Sequence, residues 1–219
     1  MMFTDLNASA YVHSNIFYNA EFEELLSKII ACYNLMLTDN VSLSNDENSI
    51  RDVLLINYLN DNSVRRKIEL TDYLFNREVP ESKTIGRTDI KIETQNTFQN
   101  TDAYYTIECK RLGSSNAMGA TGLNAKYIQN GISRFVSKTY SSHYKTNGMI
   151  GFIVETIDIN KNIAAINGLL KGTANTTKEL FKHKIVTDFH YSYCSTHDLD
   201  SDEILIYHLM FDFSKNIKS

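Results

Sequence analysis

Nine consecutive residues, Tyr104-Tyr105-Thr106-Ile107-Glu108-Cys109-Lys110-Arg111-Leu112, limit the fold more than any other part of the chain. They are rich in aromatic and β-branched side chains, the composition of a buried strand, and the run ends in a carboxylate and a lysine two positions apart. Side chains alternate between the two sides of a strand, so Glu108 and Lys110 emerge together and Cys109 points the other way. A second Glu-x-Lys, Glu81-Ser82-Lys83, directly follows the single proline, Pro80, and precedes Gly86, so turn chemistry assigns it to a loop. Only Glu108 and Lys110 follow an apolar run.

Just upstream, Thr84 to Glu93 alternates, with Ile90 and Ile92 on one side and Asp89 and Lys91 on the other, as in a half-buried strand. The polar connector Thr94 to Thr101 lets the two runs fold back as an antiparallel hairpin with Asp89 beside Glu108. Two carboxylates on neighbouring strands suit one hard divalent cation: Mg²⁺ takes oxygen ligands at about 2.0–2.1 Å, commonly one or two carboxylates plus substrate phosphate. Lys110 beside them would orient a water or neutralise charge on a phosphate in the transition state, which points to phosphodiester hydrolysis.

An Asp on one strand, a polar turn, and an apolar strand ending Glu-x-Lys before a helix resemble the PD-(D/E)xK, or restriction-endonuclease-like, nuclease superfamily. The match spans roughly residues 45 to 155, with Thr88 where the family name places a proline. The resemblance implies an α/β fold with a restriction-endonuclease-like core: a central mixed β-sheet flanked by helices, here with two extra N-terminal helices. It implies that Asp89, Glu108 and the Cys109 carbonyl hold Mg²⁺, with Mn²⁺ able to substitute, and that Lys110 positions water. It also implies DNA as substrate, with a 5′ phosphate left on the product. RNA stays open, and restriction and phage defence are settings open to such an enzyme. Cutting both strands would favour a homodimer. The alternative is a noncatalytic nucleic-acid-binding or interaction module that keeps the fold without the chemistry.

Charge distribution supports a phosphate-bearing partner. The net charge is −4, yet residues 109 to 154 contain no Asp or Glu and carry Lys110, Arg111, Lys126, Arg134, Lys138 and Lys145. The positive excess follows directly on the Glu-x-Lys strand, where a nucleic-acid backbone would need it. Leu123, Tyr127, Ile128, Ile132, Phe135 and Val136 repeat as an amphipathic helix, with Gly131 on the apolar side for close approach to the sheet. Its other side carries Lys126, Asn130, Arg134 and Lys138. With Arg111, the basic members are the candidate nucleic-acid contacts. The Gln-x-x-x-Tyr pattern of one branch of the family is absent, since Tyr127 precedes Gln129.

The rest of the chain reads as a frame for this unit. Residues 1–219 suit a single domain, with an N-terminal helical part to about residue 62. Periodicity predicts a helix over 19–37 with Asn19 as cap, and, after a polar linker from Asn40 to Asn48, a second marked by Ile50, Val53, Leu54 and Tyr58, with Ser44 and Glu47 fitting a capping box. Glu47 lies three and seven positions before Ile50 and Leu54, on their inward side. The resembling family often completes its metal site from such a helix, so Glu47 is the candidate, with Glu24 in reserve. Arg65-Arg66-Lys67 precede strand signals from Ile68 to Val79. The stretch 113–122 reads as a flexible loop, and Met149 to Val154 as a strand covered on both faces and parallel to its predecessor. A helix from Ile159 to Leu170, a short one from Thr177 to His183, and strands over 184–194 and 203–213 close the pattern.

Cys32, Cys109 and Cys194 are odd in number and have no Cys-x-x-Cys spacing, so they read as reduced core thiols, and the six histidines are too scattered for a zinc site. Asp198, Asp200, Asp202 and Glu203 lack the spacing of a calcium loop and read as a solvated turn. No signal peptide or membrane-length apolar run is present, which gives a cytoplasmic expectation with no membrane partner.

Overall fold

The computed structural model describes residues 14–80, 87–137, 140, 143–199 and 202–218. The Glu81-Ser82-Lys83 tripeptide, Lys138, Asp200 and the start of the 84–93 run lie outside the described residues. Helices α1 (Ser14–Thr38), α2 (Glu47–Leu54, continued by a π turn over Leu55–Leu59) and α3 (Asn62–Ile68) come first. Strands β1 (Leu74–Pro80), β2 (Arg87–Glu93) and β3 (Tyr104–Leu112) follow. Next come α4 (Leu123–Tyr127), a π turn over Ile128–Ile132 and α5 (Ser133–Val136), which form one helical segment. Strand β4 (Thr146–Ile153), α6 (Ile159–Leu170), and strands β5 (Thr176–Lys182), β6 (Ser192–Leu199) and β7 (Asp202–Asp212) complete the chain.

The strands form a seven-stranded mixed sheet in the order β1-β2-β3-β4-β7-β6-β5. The three central strands are mutually parallel, β3 to β4 and β4 to β7, and antiparallel pairs flank them on both sides. The α4–α5 segment is the crossover that parallel pairing of β3 and β4 requires. Alternation divides the core into two layers. Tyr105, Ile107, Cys109, Tyr207 and Phe211 face α1 through Phe22, Leu25 and Ile29. Met149, Ile153 and Met210 face Tyr127, Ile132, Phe135, Ile163 and Ile166 of α4–α6. The chain is therefore an α/β protein with helices on both faces of a mixed sheet, and β4, buried throughout as its near-continuous apolar run predicts, runs through the middle.

Several local expectations are corrected. Helix α1 begins at Ser14 rather than at Asn19, whose side chain instead accepts a hydrogen bond from Thr146. The Ser44/Glu47 capping box does not form: Asp46 is the cap, its Oδ1 accepting from Ser49 N at 2.9 Å, which releases Glu47 for other partners. Arg65-Arg66-Lys67 lie in a third N-terminal helix capped by Asp61, and β1 starts only at Leu74. The segment 177–183, read as a helix, instead falls in the edge strand β5 up to Lys182, because pairing with β6 outweighs the local helical preference of Lys178-Glu179-Leu180. The strand expected over 184–194 starts at Ser192. The 113–122 loop is tied down by Ser114 N donating to Glu155 at 2.6 Å and Asn124 Nδ2 donating to the Ala117 carbonyl at 3.1 Å. All three cysteines are free and buried.

Candidate catalytic site

The register brings the predicted acids together. β2 pairs with β3 from Glu93↔Tyr104 to Ile90↔Ile107, and Asp89 and Glu108 are the next residues beyond that last pair. There a side chain replaces a ladder bond: Cys109 N donates to Asp89 Oδ2 at 2.8 Å. Glu47 arrives from the first turn of α2, where its Oε2 accepts from Arg111 N at 2.9 Å. Three carboxylates from three elements thus converge on the end of β3.

Lys110 Nζ stands at the point of convergence. It lies 2.7 Å from Glu108 Oε1, 2.7 Å from the Cys109 carbonyl oxygen, 3.1 Å from Glu47 Oε1 and 3.5 Å from Asp89 Oδ2. Its stem passes beneath Gly131, where an added Cβ would meet Met149 Cε at 2.4 Å and Lys110 Cγ at 3.6 Å. Gly131 thus provides the close approach of helix to sheet that its place on the apolar side predicts. Among the described residues, no three His, Cys, Asp or Glu side chains stand spaced as a finished metal cage. The four oxygens that Lys110 gathers are all hard donors, three carboxylate and one carbonyl, and the cation among them is the ammonium itself.

Asp89 and Glu108 each have a second cation, whereas Glu47 has the Arg111 backbone amide. Arg51, on α2 and almost wholly buried, donates to Asp89 Oδ1 at 3.1 Å, Asp52 Oδ1 at 2.8 Å and Glu78 Oε1 at 2.9 Å. Glu78 sits in β1 at the position facing Asp89, and its left-handed backbone (φ 48°) is a strained conformation for a non-glycine residue at the edge of the site. Glu108 is fully buried. Arg134 donates to its Oε1 at 2.9 Å and the Tyr140 hydroxyl donates to its Oε2 at 2.7 Å.

These surroundings set the proton affinities. Burial pushes the Glu108 carboxyl up to about 7, the nearby Asp89 charge adds to this, and Lys110 and Tyr140 oppose it. Burial alone would lower Lys110, but the charges of Glu108, Asp89 and Glu47 outweigh it and hold the ammonium above its ordinary value. Lys110 is therefore a charged hydrogen-bond donor at neutral pH.

The remaining candidates divide. Arg134 reaches the site, although it is spent on Glu108 and Tyr140. Arg111 folds back on the loop before α2, donating to both the Asn45 carbonyl and Asn45 Oδ1 at 2.8 Å. Lys126 is exposed, and the π turn between it and Arg134 breaks the four-residue row that an unbroken α-helix would present. Glu24, the reserve, does not approach the site: it pairs with Lys28 at 3.0 Å and lines a separate cleft of about 950 Å³ with Tyr18, Glu21, Tyr73 and Asn96.

Two site residues escape the sequence reading. Arg51 carried a signal, a cation four positions after Glu47 on the same helical face; Tyr140 carried none, since only the fold brings it to Glu108. The histidines expected to be scattered include a buried chain in which Tyr127 Oη meets His208 Nδ1, His208 Nε2 meets Ser195 Oγ, and Ser195 Oγ meets His197 Nε2, each at 2.8 Å. Burial lowers both imidazoles, His197 to about 4, so the chain is neutral and structural.

Comparison with known proteins finds no matching family, no matching curated protein and no matching solved structure. No helix among the described residues is long and apolar enough to cross a membrane.

Proposed function

We propose that this chain is a Mg²⁺-dependent nuclease with a restriction-endonuclease-like core, hydrolysing DNA phosphodiester bonds. The observation that carries the reading is the meeting of Glu47, Asp89, Glu108 and the Cys109 carbonyl around Lys110 Nζ. Strands β2 and β3, the α4–α5 crossover and the parallel β4 also follow the order in which the resembling superfamily assembles its core.

Asp89, Glu108, the Cys109 carbonyl and Glu47 would hold the divalent ion. When bound, the ion supplies Lewis-acid stabilisation of the negative charge that builds on the phosphate. Lys110 would be displaced from the convergence point but stay tethered beside it, where its ammonium would donate to the attacking water or to a phosphate oxygen. Lys126 and a released Arg134 face the nucleic-acid backbone. Arg51 fixes Asp89 from behind and keeps that strand in place when the substrate's own negative charge arrives.

A second reading has its own observation. Each acid is already paired with a cation, an arrangement that also serves a noncatalytic binding module in which the ion cluster is purely structural. Purified protein incubated with duplex DNA, single-stranded DNA and RNA, with Mg²⁺, with Mn²⁺ and with chelator, separates the two. The nuclease reading predicts metal-dependent shortening of DNA that Lys110→Met abolishes while binding persists. Cleavage by Lys110→Met at the parent's rate, or no cleavage of any form in either metal, defeats it.

A further inference from the structure

Tyr140 lies outside the acid and lysine constellation, yet its hydroxyl is the most connected neutral group at the site. It donates to Glu108 Oε2 at 2.7 Å, accepts from Arg134 at 2.6 Å, and lies 2.8 Å from the Arg87 carbonyl at the start of β2. The ring is buried and packs edge-on against Phe135, with centroids 5.3 Å apart. The two oxygens of Glu108 are therefore unequal: Oε1 faces Lys110 and Arg134, both positively charged, whereas Oε2 is capped by an uncharged donor.

We infer that Tyr140 is the positioning residue of Glu108, fixing Oε2 so that Oε1 alone is presented to a divalent cation. A neutral cap suits this role because it orients the carboxylate without cancelling the charge that attracts the ion. A cation on Oε2 would compete with the metal, and no donor there would leave the carboxylate free to rotate. Hydrogen-bond partners behind a metal ligand typically contribute about 10- to 100-fold to metal affinity. The inference rests on the reading of Asp89 and Glu108 as a cation site.

The test measures Mn²⁺ binding directly, from the loss of the free-ion paramagnetic signal, for the parent and for Tyr140→Phe, Tyr144→Phe and Glu108→Ala, beside cleavage as a function of Mg²⁺. Tyr140→Phe keeps the ring on Phe135, and its unfolding midpoint without metal checks that it folds. The expected result is Mn²⁺ binding about 10- to 100-fold weaker in Tyr140→Phe, with the half-saturating Mg²⁺ raised in parallel and cleavage at saturating Mg²⁺ close to the parent's. Tyr144→Phe, altered in the opposite core layer, should bind Mn²⁺ like the parent. Parent-like binding by Tyr140→Phe while Glu108→Ala has lost it overturns the positioning role alone. Weakening of Tyr144→Phe to the same degree also overturns it, as a general loosening of the core. A parent that binds no Mn²⁺, or a Glu108→Ala that binds like the parent, removes the metal site and this inference with it.

Discussion

Replacing Lys110 with methionine keeps the stem that packs beneath Gly131 but removes the charge that Glu108, Asp89 and Glu47 share. Removing one partner of a buried ion pair typically costs about 3–5 kcal/mol, because the other charge is left unneutralised. Glu108 limits the loss here. Its carboxyl already titrates near 7, and without the neighbouring ammonium it rises further and takes up a proton at neutral pH. The expected destabilisation in chelator is therefore at the low end, about 3 kcal/mol. If the same oxygens hold a divalent ion, Mg²⁺ should refill the vacated position and return about 2.7 kcal/mol at a concentration 100 times its dissociation constant. Urea unfolding of parent and variant, each in chelator and in excess Mg²⁺, reads the two numbers. The variant, which has no ammonium to displace, should gain more from Mg²⁺ than the parent, so the deficit should shrink in Mg²⁺ while DNA cleavage stays absent. A deficit of the same size with and without Mg²⁺ refutes the idea that the ammonium stands where a cation binds.

Three further outcomes follow from the geometry. Arg51→Ala removes the common partner of Asp52, Glu78 and Asp89, and because Asp52 keeps Arg77 and Asp89 keeps Lys110 it should lower unfolding free energy by about 1–3 kcal/mol in a denaturant titration. Gly151, beside Lys110 in the β3–β4 ladder, has no room for a methyl group, since a Cβ would come within 2.4 Å of Leu112 Cδ1 and 2.8 Å of Met210 Sδ; Gly151→Ala should cost about 1–3 kcal/mol, measured the same way. His197, with its folded value near 4 against 6.5 when unfolded, favours the folded state fully above pH 6.5, and that contribution, about 3 kcal/mol, is lost as pH falls towards 4. His197→Gln should flatten the stability profile over that window by about one proton's worth of slope, and an unchanged slope would contradict the burial argument.

Legibility followed the range of the forces involved. The acid, the alternating strand and the Glu-x-Lys strand could be read because strand alternation and a hairpin are local, and register then had few choices: Ile90 and Ile92 inward fixes Asp89 outward. Glu47 was found from its helical face, although for a cap it does not form, since Asp46 outcompetes Ser44. Tyr140, the Tyr127–His208–Ser195–His197 chain and the strand identity of residues 176–182 were out of reach. Each depends on partners far along the chain, and no short-range pattern records them. The π turn at Ile128–Ile132 defeated the basic row for a related reason: one extra residue in a turn rotates everything after it, and sequence spacing assumes a uniform helix.

The rim of the sheet carries a consequence for assembly. At one border, β5 slips twice against its neighbour and shows solvent Lys178 and Lys182; at the other, β1 is kinked at Glu78 and ends at a proline. Irregular, lysine-bearing or proline-terminated borders discourage ribbon-to-ribbon joining between molecules. If two copies unite to cut both strands of a duplex, they must therefore meet through helices or loops, leaving each sheet seven strands wide.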